Sequence, residues 1–325
     1  MNRRRLPPVL LVLLLGAFAP ALLCPAADAE RQVNLISFGD WGHGNDLQRR
    51  VATTMASYVG KLGTPVNGAL LVGDNFYVPL ESVADKAWDD VFERAYDPAR
   101  LNFPFYAILG NHDYEYDKPR IQMEYARLNP ASRWKMPARW YRIDFPADDP
   151  VVSVIMLDSN KAKLGPALWA EQIAFLREQL AALPADRWKV VCAHHPLFSN
   201  GLHGDIGPLQ RMWGQWLKDH GVDFYLCGHD HDLQHLQVPG WQTSFLLVGG
   251  ASDPRPMRRD DRGPFARGIA GFAHLRFTAD RAEITFIDGD GDTAHAFERT
   301  RDHQVRVITT TGRDRGFARP ATRPD

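Results

Sequence analysis

The sequence predicts an α/β fold, and three observations carry the prediction. Short apolar runs recur along the chain, and each ends in a polar cluster, most of them containing glycine. Amphipathic helical patterns lie between them. The clusters hold carboxylate, amide and imidazole side chains, and in α/β folds ligands gather at the carboxyl ends of the strands. Composition agrees: 325 residues, 45% hydrophobic, 24% charged and 11% aromatic, describe a globular chain with enough apolar material for a sizeable core. With 38 basic and 39 acidic residues there is no cationic excess to hold a nucleic-acid backbone.

Residues 1–29 stand apart from the fold. Met1-Asn-Arg-Arg-Arg5 is a basic start, Val9 to Leu15 is an apolar stretch, and Ala27-Asp28-Ala29 is an A-x-A cleavage site, which together make an export signal. The apolar run is short for a membrane span and is accompanied by Pro7, Pro8 and Pro20. The mature chain is therefore expected to be soluble, away from membranes, and periplasmic or secreted. That compartment permits a bridge between the two cysteines that survive cleavage, Cys192 and Cys227, but both occupy buried strand positions and free thiols are expected.

The strands follow in order. Val33 to Phe38 runs into Gly39-Asp40, Ala69 to Val72 into Gly73-Asp74, and Phe105 to Leu109 into Gly110-Asn111-His112-Asp113. Val151 to Leu157 runs into Asp158, Val190 to Ala193 into His194-His195, and Val222 to Cys227 into Gly228-His229-Asp230-His231. Each is a short apolar stretch closed by turn residues, the mark of a strand. The clearest helix is Pro166 to Leu183, where Trp169, Ile173, Leu176, Leu180 and Leu183 recur at steps of four and three. Ser244 to Val248, His274 to Thr278 and Ala282 to Ile287 have strand character without a long helix between them, which predicts an antiparallel addition to the sheet. The domain is expected over residues 30–300. Residues 301–325, with six arginines and little apolar content, predict at most one short strand and then a tail.

Taken singly, an Asp after a Gly at a strand end is a turn or a helix cap, and a lone His is structural. Asp40, Asp74, Asn111, His194, His229 and His231 are different as a set, because they place hard and borderline metal ligands in five loops on the same edge of one predicted sheet. Such a collection suits two adjacent metal ions with one carboxylate between them, as in two-metal phosphoryl-transfer sites.

Gly39-Asp40-Trp-Gly42, Gly73-Asp74-Asn-Phe-Tyr77, Gly110-Asn111-His112-Asp113, Val191-Cys-Ala-His194 and Gly228-His229-Asp-His231 stand in the order of the motifs of calcineurin-like metallophosphoesterases, which this sequence resembles. Most of that superfamily has Asp-x-His in the first motif. Here position 42 is Gly, and Tyr77, three residues after Asp74, makes the G-D-x-x-Y motif of purple acid phosphatases. The likeness narrows to the small tartrate-resistant (type 5) kind and spans nearly the whole mature chain. It implies a single-domain fold of two mixed β-sheets packed as a sandwich with helices on both outer faces. It also implies a dinuclear centre of Fe(III) and a divalent Fe, Zn or Mn ion. Carried over residue by residue, the resemblance gives Asp40, Tyr77 and His231 to the ferric ion, Asn111, His194 and His229 to the divalent ion, and Asp74 to both. His112, and His203 nine residues after His194, match non-ligand catalytic histidines. Compared with the animal members, only Asn160 to Gly165 separates the strand ending near Asp158 from the next helix, so no covering loop and no proteolytic activation are expected.

A trivalent ion held by two carboxylates and a phenolate makes hydroxide available even in acid, so the implied activity is acid hydrolysis of phosphomonoesters by metal-bound hydroxide. Histidines titrate near neutrality and in acid can bind phosphate oxygens or protonate the leaving alkoxide. Expected substrates are small phosphomonoesters, with phosphoproteins among the candidates, and monomer is the default state. Two other readings stay open. One is a phosphodiesterase or nucleotide pyrophosphatase with a Zn or Mn pair, in which Tyr77 is only a core tyrosine. The other is a non-catalytic phosphate- or metal-binding protein, for which His112 would have no use. His195 is expected to point away from His194 and to be structural or to support a ligand from behind, and His43 is expected at the surface.

Overall fold

Strands that are apolar at every position must be covered on both faces, and the structure supplies both covers. The computed structural model describes residues 31–259 and 261–311. The export signal expected at residues 1–29 and the tail beyond Thr311 lie outside the described residues. In chain order the strands are β1 (Val33–Phe38), β2 (Gly68–Leu71), β3 (Phe105–Ala107), β4 (Trp134–Lys135), β5 (Tyr141–Phe145), β6 (Val152–Met156), β7 (Trp188–Cys192) and β8 (Phe224–Cys227). They continue with β9 (Leu233–Gln237), β10 (Ser244–Val248), β11 (Phe265–Arg267), β12 (Gly271–Phe277), β13 (Arg281–Asp288), β14 (Thr293–Thr300) and β15 (Val305–Thr310). Among the described residues they form an eight-stranded sheet of order β15-β14-β13-β12-β1-β2-β3-β4 and a seven-stranded sheet of order β11-β9-β10-β8-β7-β6-β5.

The two sheets pack face to face. Leu35, Leu70, Val154, Val190, Leu226, Leu246, Leu275 and Ile284 meet in the core between them. One residue along β1 the direction reverses, as strand geometry requires: Ile36 and Phe38, with Ala69 and Leu71 of β2, face α1 (Asp46–Val59) and α2 (Lys118–Leu128). On the far side Val191, Tyr225 and Phe245 meet Trp169 and Leu176 of α3 (Lys161–Ala182) and Trp213 of α4 (Gly207–Asp219). The result is the four-layer αββα arrangement that the resemblance implied. Within α3 the chain breaks at Gly165 (φ 73°), so the main helix opens at Pro166, where the sequence places it. Asn45 caps α1 by accepting from Gln48 N at 2.8 Å.

β12 to β15 form the antiparallel addition expected from His274 to Thr278 and Ala282 to Ile287, and β15 is the one short strand allowed after residue 300. Ser244 to Val248, expected in the same addition, is instead β10 inside the second sheet, parallel to β8 and antiparallel to β9. Cys192 and Cys227 are buried free thiols, as expected. β4, β5, β9, β11 and β14 are not among the predicted strands. The last of these explains why: its buried positions are Ala294, His295, Ala296, Phe297 and Arg299, with one large apolar residue among them.

The buried histidines of β9 and β14 meet between the sheets. His235 Nδ1 lies 3.0 Å from His295 Nε2, and His295 Nδ1 lies 2.6 Å from Thr310 Oγ1. Burial lowers His295 to about 4, and burial, with His295 and Arg299 adding to it, lowers His235 well below an ordinary imidazole. The unfolded chain therefore takes up protons before the fold does, and stability present at neutral pH is lost as pH falls from about 6.5 towards 4. For His295 the loss amounts to roughly 3 kcal/mol. Urea unfolding of the wild type and His295→Phe at neutral pH and in acid should show a shallower acid loss in the variant; equal losses would show that this pair does not set the slope.

Candidate metal centre

The chain enters the site from two sheets, not from one as the sequence suggested. Asp40, Asp74 and Asn111 follow β1, β2 and β3 of the first sheet, whereas His194 follows β7 and His229 and His231 follow β8 of the second. Neighbours in each set are parallel, so their carboxyl ends point the same way. The ends of the two sheets are joined where Gly39 N donates to Val248 O at 2.8 Å. Asp40, Asp74 and His229 have positive φ of 56°, 52° and 70°, a left-handed conformation held only where the surroundings dictate it.

Glycines let these groups approach one another. A Cβ at Gly110 would stand 2.1 Å from Asp74 Oδ1, and one at Gly228 would stand 2.2 Å from Asp40 Oδ2. At Gly42 it would stand 1.9 Å from Asn75 O, and the same backbone turn brings Tyr77 N to Gly42 O at 2.9 Å. No side chain fits at position 42, and the chain that occupies its space is the one that delivers Tyr77.

The donors form two groups that share Asp74. Tyr77 Oη lies 3.3 Å from Asp40 Oδ1, 2.9 Å from Asp74 Oδ2 and 3.1 Å from His231 Nε2. Asn111 Oδ1 lies 3.0 Å from both His194 Nε2 and His229 Nδ1. Asp74 Oδ2 lies 3.4 Å from His194 Nε2 and so touches both groups. Ligand atoms of Asp40, Asp74 and His231 fall within 4.8 Å of one another. Second ring nitrogens are already engaged: His194 Nδ1 meets Val72 O at 2.9 Å and His231 Nδ1 meets Asp253 O at 2.8 Å. A carbonyl can only accept, so both rings carry hydrogen on Nδ1 and turn Nε2 into the cluster, bare in a neutral ring and the seat of the second proton in a charged one.

The charges fit cations. Burial pushes the Asp40 carboxyl well above the carboxylate range. For Asp74 burial acts in the same direction, but His194 and the His112 amide outweigh it and hold the group low. Burial would likewise lower His194, yet Asp74 and Asp40 hold it up at about 10. Its proton is thus the counter-charge of the carboxylates, and a metal ion in its place would serve the same purpose. Burial and then Arg255 lower His231 to about 4, and burial with the neighbouring imidazoles lowers His229 further, so both rings are neutral and able to coordinate. Burial, Asp40 and Asp74 push the Tyr77 phenol far up, so a phenolate there needs a strongly charged ion on its oxygen. A cavity of about 750 Å³ beside α2, lined by Tyr106, Met123, Met136 and Tyr141, shares no residue with this cluster, so the chemistry and not the volume marks the site.

His112 and His203 stand at the mouth with side chains 40% and 41% exposed. Each has an acidic partner that the sequence reading did not single out. Glu115 Oε1 lies 2.8 Å from His112 Nδ1, and Asp230 Oδ1 lies 2.8 Å from His203 Nδ1. Two further expectations are corrected. His195 does not turn away: its Nδ1 is 2.7 Å from Ser159 Oγ and its ring packs 4.4 Å from that of His229. His43 is not a free surface residue, since it stacks on Tyr77. Asp113 lies inside a recognised motif, but its work was not legible. It accepts from the backbone of Gly110, Asn75 and Phe76 and from Gln122, joining the loops that carry Asn111, Asp74 and Tyr77.

A two-sheet fold whose strand ends bring carboxylate, amide and imidazole donors to one point defines a metal-dependent esterase scaffold. The calcineurin-like phosphoesterase family matches residues 34–233, and the chain belongs to that family. The family implies a dinuclear metal centre and a hydrolase. The chain is similar to tartrate-resistant acid phosphatase type 5 of Sus scrofa, 30% identical over 84% of this chain and 90% of that one. It is also similar to purple acid phosphatase 17 of Arabidopsis thaliana, 30% identical over 83% and 85% of the two chains. In fold it matches GAP50, the anchor in the inner membrane complex of Plasmodium, with a TM-score of 0.71 at 20% identity over 86% and 90% of the chains.

Proposed function

We propose that the protein is an exported acid phosphatase that hydrolyses phosphomonoesters at an Fe(III) and divalent metal centre, the divalent ion being iron, zinc or manganese. The position of Asp74 Oδ2 carries the reading, because it touches both the Tyr77 group and the His194 group. Asp40, Tyr77 and His231 would hold the ferric ion, Asn111, His194 and His229 the divalent ion, and Asp74 both. Acid phosphatase is the name of the relatives above, and the basic, apolar and Ala27-Asp28-Ala29 segments support export.

When bound, the two ions supply an activated water as nucleophile and neutralise charge that builds on the phosphoryl oxygens. The chain's own residues orient and protonate. Val72 and Asp253 carbonyls set the tautomers of His194 and His231. Glu115 and Asp230 engage Nδ1 of His112 and His203 and leave Nε2 of each for the substrate. One such nitrogen can bind a phosphate oxygen while the other gives its proton to the alkoxide as the ester P–O bond breaks. Two cationic donors suit the dianionic monoester more than a diester.

The test is the visible spectrum and metal content of the oxidised protein beside Tyr77→Phe, with rates on 4-nitrophenyl phosphate and its bis ester. The reading expects a broad mid-visible band that the variant loses, iron with a second metal, and a faster monoester rate in acid. A colourless protein with two zinc or manganese ions and a faster diester rate would replace it with a phosphodiesterase.

A further inference from the structure

The Tyr77 ring is packed as closely as its oxygen is placed. His43 lies nearly flat on it, with ring centroids 3.8 Å apart and planes 18° from parallel. His43 is outside the five motifs and sits immediately after the position where no side chain fits. Its own ring is tethered. His43 Nδ1 lies 2.7 Å from Ser252 Oγ, and Ser252 Oγ lies 2.6 Å from the Asp40 carbonyl oxygen. A carbonyl has no proton to give, so the single Ser252 hydroxyl proton goes to Asp40 and His43 must donate from Nδ1. Asn45 Nδ2 secures the same segment by donating to Ser252 O at 3.0 Å. His43 is thus fixed in plane and tautomer by a chain that ends on the backbone of Asp40.

We propose that His43 is a positioning residue for Tyr77, whose stacked ring sets the plane of the phenol and keeps water from one of its faces. This rests on the reading of Tyr77 as an iron-binding phenolate. The ring plane governs how the oxygen lone pairs meet the ion, and a dry face leaves the phenolate a stronger electron donor than one solvated on both faces. Removing the stack lets water reach the ring and stabilises the donor electrons, which moves phenolate-to-iron absorption to shorter wavelength.

The full-length protein is loaded with ferric iron, oxidised, and compared with His43→Ala and His43→Phe by visible absorption and iron content. The expected result is a band at shorter wavelength in His43→Ala at unchanged iron content, restored towards its wild-type position in His43→Phe, which keeps a ring but no link to Ser252. A His43→Ala band of wild-type position and intensity overturns the proposal. If His43→Ala loses iron, retention with a wild-type band in His43→Phe supports the proposal, and loss from both overturns it. A merely structural His43 would lower the thermal stability of His43→Ala without moving its band. Absence of a band in the unsubstituted protein would overturn the Tyr77 reading itself, so the two failures are read on different samples.

Discussion

Asp74→Asn is expected to lower kcat/KM on a phosphomonoester by roughly a thousandfold, about 4 kcal/mol of transition-state stabilisation. Asparagine matches aspartate in shape and tolerates the left-handed backbone found here at φ 52°, so the variant removes charge and leaves the loop intact. The charge is what the site uses. Asp74 is buried, its Oδ2 stands between Tyr77 and His194, and its Oδ1 accepts from His112 N at 2.9 Å. Losing the carboxylate therefore weakens both metal groups and loosens His112 together. Steady-state rates in acid, metal content and thermal unfolding check this. Retention of more than about a tenth of wild-type kcat/KM would remove Asp74 from the shared position.

Asp113→Ala is expected to destabilise the fold by about 3–5 kcal/mol, because it leaves several buried donors without an acceptor. In a domain of this size that corresponds to a Tm lower by roughly 10 °C. Gly110 N donates to Asp113 Oδ2 at 2.8 Å, Asn75 N to both carboxylate oxygens at 3.0 Å, Phe76 N to Oδ1 at 3.2 Å and Gln122 Nε2 to Oδ1 at 2.9 Å. Burial and then Asp74 push the Asp113 carboxyl up to about 6. Activity should fall with stability, since the loops that lose their anchor carry Asp74, Tyr77 and Asn111. A Tm within about 2 °C of wild type would show that other contacts hold these loops.

Much of the centre was legible in the sequence because Asp40, Asp74, Asn111 and His229 each follow a glycine at the end of an apolar run, and His194 closes another such run. The reason for the glycines was not legible. Gly110 makes room for the carboxylate of Asp74, and Gly228 for that of Asp40, each from a different loop. The same limit hid Glu115 and Asp230 behind His112 and His203, and Ser252 behind His43, where 209 residues separate partners 2.7 Å apart. The division of the site between two sheets was also out of reach in the local pattern, since a strand end of one sheet reads like a strand end of the other. β14 was missed for a related reason: His295 and Arg299 are polar by type and become buried only when the sheets close on them.

The sequence by itself determined the kind of chemistry available, because the identity of a donor and the turn that presents it are properties of a few consecutive residues. It also determined the alternation of strand and helix, and that Gly42 stands in the first motif while a tyrosine, Tyr77, follows Asp74 by three residues. Only the tertiary structure decided which donors share Asp74, which ring nitrogens carry hydrogen, and that His43 lies on the Tyr77 ring. Distance, tautomer and protonation depend on groups that meet only after burial, and burial is an outcome of the whole fold.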